Sequence, residues 1–227
     1  EKKLPVIHIG GTNGKGSTVS YLKHILLEQG YNVGTFTSPY IVHFNERITY
    51  NYNDISNDEL LHYINKVKDL SEQVYKIHGQ VITFFELITL ISFLFFTDMD
   101  VDFVIYEVGL GGRLDATNVV APLITGITTI GHDHMGVLGS TLPEIAKEKL
   151  GIVKDGIPLC TTMDDEDLLP IFEAHTKTHN SSLFKLSKSD VDVQEYGTLT
   201  SFAYKNELFK ISMIGTHQPY NASLAIE

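Results

Sequence analysis

A glycine-rich run near the start of the chain, Gly10-Gly11-Thr12-Asn13-Gly14-Lys15-Gly16-Ser17, has the residue types of a phosphate cradle. Glycines let backbone N–H groups turn inward around oxyanions, and the start of a following helix adds partial positive charge. Lys15 would reach the terminal phosphates, and the hydroxyl of Ser17 or Thr18 could meet magnesium. The strict Walker pattern is not met: its first glycine would fall at Ile9, and Gly16 intervenes between Lys15 and Ser17. The competing reading is a glycine-rich turn with an exposed lysine. Strand, loop and helix fall where the cradle needs them, which favours the cradle.

Other chemistry-bearing residues follow apolar runs. Glu107 closes a strand, the position of a metal-holding acid in phosphate-transferring sheets, or else is a solvated strand-end carboxylate. His134 follows the next strand, where a lone histidine is more often structural. Ser38 alone reads as a turn residue before Pro39. Lys149 lies two helical turns after Leu142, so at about 3.6 residues per turn the two point within about 20° of each other. Leu142, Ile145 and Ala146 define the buried face, which turns Lys149 inward and leaves Lys147 and Glu148 outside. A buried ammonium is costly unless paired or neutralised. Desolvation lowers its pKa and frees the amine to react with carbon dioxide. The alternative is a lysine that snorkels to the surface.

Strands and helices alternate, which predicts an α/β fold: a mostly parallel sheet, P-loop NTPase-like, with helices on both faces. Strands are expected at Val6–Gly10, Tyr31–Phe36, Val101–Val108, Leu123–Ile130 and Ile157–Thr161. Helices are expected at Lys15–Gln29, Ser56–Ile77, Thr83–Phe96, Thr141–Leu150 and Asp164–His179, with another from Asn221. Capping boxes open three of these, at Ser56/Glu59, Thr83/Glu86 and Thr141/Glu144. Thr83–Phe96 is apolar nearly all round and is expected to be buried. Thr37–Ile55, Gly109–Ala121 and Gly131–Ser140 read as loops, and the first is long enough to suggest function. From Ser182 to Ile211 the pattern becomes short alternating strands, expected to be a small antiparallel region.

The 227 residues are 43% hydrophobic and 20% charged, enough apolar material for a real core. A formal charge of -11 argues against general nucleic-acid or anionic-membrane binding. The single cysteine, Cys160, sits in an apolar run and reads as a buried core residue in a reducing compartment. No signal peptide is visible, and Phe84–Phe96 is too short to span a bilayer, so the cytoplasm is the expected location. Both ends look cut, which suggests a fragment of a longer protein.

The phosphate loop, from Gly11 to Ser17, is similar to that of folylpolyglutamate and dihydrofolate synthases, relatives of the Mur ligases. Thr37-Ser38-Pro39-Tyr40 with Asn45-Glu46-Arg47-Ile48 resembles that family's Ser-Pro-His…Asn-Glu-Arg-Ile loop. Glu107 to Asn118 resembles its most distinctive block. Asp133-His134 with Glu148-Lys149, and His217-Gln218 with Asn221-Ala222, resemble two more. The blocks keep the family's order over nearly the whole chain. Tyr40 departs from the histidine of many members, which bears on pterin contacts rather than on the reaction.

The resemblance implies an ATP- and Mg2+-dependent ligase of folate biosynthesis and one-carbon metabolism. It would phosphorylate a folate carboxylate and pass the acyl group to L-glutamate. Residues 1–227 would be the N-terminal ATP-binding domain, of the Mur central type, lacking a C-terminal glutamate-binding domain and inactive alone. Thr12, Asn13, Gly14, Lys15, Gly16, Ser17 and Thr18 would hold the ATP phosphates. His217, Gln218 and Asn221 would approach the adenine end. Ser38, Glu107 and His134, with Ser17 and a carbamylated Lys149, would hold magnesium, and Lys15, Lys149 and His134 would be catalytic. Folate or dihydropteroate would lie near Thr83, Phe84, Phe85 and Glu86, and near Arg113, Leu114, Asp115 and Ala116. Phe84 and Phe85 could stack on a pterin or simply be core. Arg113, Asp115 and Asn118 could order substrate or only the loop. No nucleic acid or membrane partner is expected, and the chain is expected to be a monomer. A bifunctional dihydrofolate and folylpolyglutamate synthase, another Mur-type amide ligase and a non-catalytic nucleotide-binding module are the alternatives.

Overall fold

The apolar runs pair into one eight-stranded sheet, with a separate three-stranded sheet beside it. The computed structural model describes residues 3–195 and 198–227. The main sheet contains β1 (Val6–Gly10), β2 (Val33–Phe36), β3 (Ile48–Tyr50), β4 (Asn53–Asp54), β5 (Phe103–Glu107), β6 (Pro122–Ile127), β7 (Leu159–Thr161) and β8 (Leu183–Lys185). Their spatial order is β4-β3-β2-β5-β1-β6-β7-β8. From β2 to β8 every pairing is parallel, and β3 and β4 add an antiparallel edge. All of β1 is buried because helices cover both faces, which explains its continuous rather than alternating apolar pattern.

The helices are α1 (Lys15–Glu28), α2 (Asn57–His78), α3 (Phe84–Asp98), α4 (Met135–Leu138), α5 (Leu142–Leu150), α6 (Leu169–Thr178) and α7 (Gln218–Ile226). The three expected capping boxes form at α2, α3 and α5. Phe36, Phe96 and Tyr106 join the sheet to α2 and α3, while Val19 of α1 packs on Ile7, Ile9 and Ile105. Val108, Ile127, Leu150 and Phe172 form a further cluster with α5 and α6. The small sheet, of β9 (Val191–Glu195), β10 (Thr200–Tyr204) and β11 (Glu207–Ile211), is antiparallel as expected and packs on α7. Cys160 is buried in β7.

Several expectations need adjustment. Thr37–Ile55 is not one loop. It carries a 3-10 turn at Phe44–Arg47 and the strands β3 and β4, pieces too short to show a period. Gly131–Ser140 contains α4. Leu183–Lys185 extends the parallel sheet instead of the antiparallel one, because it pairs with β7. The helix expected from Asp164 starts at Leu169, after a turn in which Asp165 accepts from the amides of Leu168 and Leu169. Pro170 then sits in the first turn, where its missing N–H costs nothing. α3 is not buried all round: Phe84 at its start is 63% exposed. Among the described residues no helix is long and apolar enough to cross a membrane.

Candidate functional site

The phosphate loop turns at Gly11 and Gly14, which adopt φ of 134° and 88°. A side chain at either would collide, Gly11 with Thr128 Oγ1 and Gly14 with Asn221 Oδ1. The threonines that follow β6 fasten the loop from the side. Thr12 N donates to Thr129 O at 2.7 Å, and Thr128 Oγ1 donates to Asn13 O at 2.6 Å. α1 begins at Lys15 with no side-chain cap, so the amides of its first turn keep their donors for a ligand. Gln218 and Asn221 are buried behind this turn. Gln218 Nε2 donates to Ser17 Oγ at 3.3 Å, and Asn221 Nδ2 donates to Gln218 Oε1 at 3.2 Å.

Two ammonium groups meet on one carbonyl. Lys15 Nζ donates to Gly11 O at 3.1 Å and to Thr12 O at 3.2 Å, and Lys149 Nζ donates to Gly11 O at 3.0 Å. Lys149 is 3% exposed and faces inward, as its helical spacing predicts. Burial, and then the charge of Lys15, lower its pKa to about 8 against the opposing pull of Asp133. Glu107, 4% exposed, has the opposite problem: burial raises its pKa to about 7, opposed by the Ser38 amide, Lys15 and Arg47. Ser38 N donates to Glu107 Oε2 at 3.1 Å, which brings Ser38 beside the carboxylate. A desolvated carboxyl group beside a hydroxyl-bearing residue and the helix start is a fitting seat for a hard divalent cation. Among the described residues no group of three or more His, Cys, Asp or Glu side chains is gathered for a metal.

Two cavities flank this centre. One, of about 760 Å³, runs along the phosphate loop and α1 and includes Glu107. The other, of about 720 Å³, is walled by Arg47, Thr83, Phe85, Leu114, Ala116, His134 and Leu138, among others. Lys15, Ser38 and Pro39 line both.

Of the residues singled out in sequence, Thr12, Asn13, Gly14, Lys15, Gly16, Ser17, Ser38 and Glu107 line the first cavity. Thr83, Phe85, Glu86, Leu114, Asp115, Ala116 and His134 line the second. Thr18 instead faces an apolar cavity between α1 and the sheet. Phe84 turns away to pack on Phe44, ring centroids 5.9 Å apart. His134 is 57% exposed, its Nε2 3.4 Å from Asp133 Oδ1, and lies across Ser38 from Glu107. Asp115 accepts from Leu110 N at 2.8 Å and from Thr117 N and Oγ1, so its oxygens hold the loop. Asn118 likewise bonds Arg113 O and Gly151 O. Arg113 points outward to Glu148. His217 is exposed at the start of α7. Sequence reasoning missed Thr128 and Thr129 as loop fasteners. Their position at the carboxyl end of a central strand is the signal that could have found them.

Residues 9–227 match the model of the Mur ligase middle domain. The chain belongs to the Mur ligase superfamily, in its folylpolyglutamate/dihydrofolate synthase family. It is 45% identical over 234 residues to the dihydrofolate synthase/folylpolyglutamate synthase of Bacillus subtilis, covering 100% of this chain and 54% of that protein. The crystal structure of the Thermotoga maritima folylpolyglutamate synthase superposes with a TM-score of 0.88 at 35% identity, over 98% of this chain and 53% of the other. A structure described as an FPGS–AMPPCP–folate complex gives 0.91 at 31%, over 99% and 57%. The chain thus spans about half the length of each of these three relatives.

Proposed function

We propose that this chain is the ATP-binding part of a ligase that joins L-glutamate to a folate-type carboxylate. The carrying observation is the wall of Lys15, Ser38 and Pro39 shared by the phosphate-loop cavity and the cavity bearing Phe85. A nucleotide in one cavity and an aromatic carboxylate in the other would meet at Lys15. Both dihydropteroate and folylglutamates are proposed as acceptors, a reading supported by the double name of the Bacillus subtilis relative. The glutamate site, and further contacts to the adenosine, belong in this reading to a domain outside the 227 residues. The cytoplasm is the proposed location.

In the first step an acceptor carboxylate oxygen bonds the γ-phosphorus as the bond to the ADP oxygen breaks. In the second, the glutamate nitrogen bonds the acyl carbon, phosphate leaves, and the amine gives up a proton. Lys15 and the first-turn amides of α1 hold the phosphoryl oxygens as charge develops on them. Ser38 and Glu107, with Ser17 nearby and His134 reaching from the acceptor side, would hold magnesium, which would neutralise phosphate charge when bound. The lowered pKa of Lys149 favours attack of its neutral amine on carbon dioxide, giving a carbamate and one proton. That carbamate would add a negative oxygen donor to the metal site. A high-resolution map with a plain amine at Lys149, obtained with bicarbonate and magnesium present, would count against it.

The test of the whole reading is ADP release by the full-length protein. Release should require dihydropteroate or a folate together with glutamate, and mass spectrometry should show the amide. Nucleotide binding without turnover would instead favour a non-catalytic module, and turnover with a different acceptor would favour another Mur-type ligase.

A further inference from the structure

Arg47 stands at the base of the Thr37–Ile55 segment, where its carbonyl accepts from Thr37 N at 2.9 Å. Its guanidinium lies over the rings of Tyr40 and Phe44, 5.3 and 5.8 Å from their centroids. Stacking of this kind uses the flat face of the group and leaves its N–H edge free. Among the described residues that edge has no hydrogen-bond acceptor, although the buried carboxyl of Glu107 feels its charge. Arg47 Nε is buried without a hydrogen-bond partner, and the guanidinium forms no ion pair among the described residues. The acids around the same cavity are committed elsewhere. Glu86 turns back to Thr83 at 2.7 Å, Asp115 holds its own loop, Glu148 pairs with Arg113, and Asp133 sits by His134. Arg47 as a whole is half-buried, but a buried Nε without an acceptor is costly, and the charge of the group makes an anion its fitting partner.

Arg47 lines the cavity with Phe85, Leu114 and Leu138, whereas Gly14 and Gly16 of the phosphate loop line the other. The anion is therefore on the acceptor side. We propose that Arg47 binds a carboxylate of the acceptor substrate, gripping it with the free edge of a guanidinium held flat by Tyr40 and Phe44. This rests on the acceptor reading given above. Arg47 is then a recognition residue that selects acceptors by charge, and Tyr40 acts through it as a positioning residue.

The test uses the full-length protein without ATP and N-(4-aminobenzoyl)-L-glutamate as probe, with its dimethyl ester as the uncharged control. Calorimetry should show wild-type protein preferring the acid to the ester. Arg47→Met, which keeps most of the packing, should weaken acid binding by about 10- to 100-fold and erase the preference, as expected for a lost charged hydrogen-bonding partner. Arg47→Lys should recover part of it, since lysine keeps the charge but not the fork. Affinity for a non-hydrolysable ATP analogue should not change. Unchanged probe affinity in Arg47→Met, equal weakening of acid and ester, or a wild type that does not bind the probe would each overturn the proposal. If Arg47→Met does not fold, Arg47→Lys decides alone, and full acid preference in it counts against the fork. A wild type that binds the probe through Arg47 yet forms no amide would refute the ligase reading while leaving Arg47 assigned. Ligation with an unchanged acceptor KM in Arg47→Met would do the reverse.

Discussion

The two cavities that meet at Lys15, Ser38 and Pro39 are built from different materials. On the phosphate side the working parts are backbone: glycine turns, first-turn amides, and carbonyls that collect two lysines. Little can be changed there without a collision, as the space at Gly11 and Gly14 shows. On the side proposed for the acceptor the working parts are side chains, Arg47, Leu114 and His134 on turns and loops and Phe85 in the first turn of α3, with Asp115 spent on its loop and Glu148 on Arg113. A shared reaction can thus be fixed in backbone while the choice of acceptor is left to side chains.

The contrast predicts a descending series of effects. Lys15→Ala should cost the full-length protein on the order of 10²–10³ in turnover, with the fold intact, because the lysine head lines both cavities and bonds only carbonyls of its own loop. Near-normal turnover would remove the phosphate side from the mechanism.

Glu107→Gln should act on stability without any ligand. The folded pKa of Glu107, about 7, lies above its ordinary 4.5. Between those values the folded protein keeps a proton that the unfolded chain has released, so stability falls as pH rises through that window. Glutamine does not titrate. In metal-free protein the variant should therefore gain on wild type from pH 4.5 to pH 7, by an amount on the order of 3 kcal/mol at the upper end. Denaturant melts at several pH values measure this, and parallel profiles for the two proteins would sink the desolvation account.

Arg113→Ala should do least. Arg113 is exposed and its partner Glu148 half-buried at the cavity rim, and solvent-accessible pairs contribute about 0–1 kcal/mol. A large loss of turnover with unchanged melting would show that Arg113 swings inward to substrate, and would blur the division between the two sides.

Much of this arrangement is legible in the sequence, for identifiable reasons. Glycine spacing, strand-end Glu107 and the inward phase of Lys149 depend on local geometry, and periodicity carries them. Capping boxes at Ser56, Thr83 and Thr141 depend only on neighbours three residues apart. The roles of Asp115, Thr18 and Phe84 depend on what the tertiary packing sets opposite them, and composition cannot supply that. β3, β4 and β8 are two or three residues long, too short for a period to register. Arg47 looks like one member of a polar run until the structure shows its buried Nε without a hydrogen-bond partner among the described residues.

Asn221 fills the space beside Gly14, and Gln218 reaches Ser17 across 201 positions of chain. On the ribosome the phosphate loop emerges before α7, and β1, β5 and β6 can pair before residues 218–221 exist. The nucleotide site would then be among the last parts of these residues to take its final shape, although Ser17 is translated 201 positions before the Gln218 that braces it. A nascent chain halted before α7 would carry most of the main sheet and an unbraced loop. ATP would become a useful ligand only once the small sheet and α7 had docked behind it.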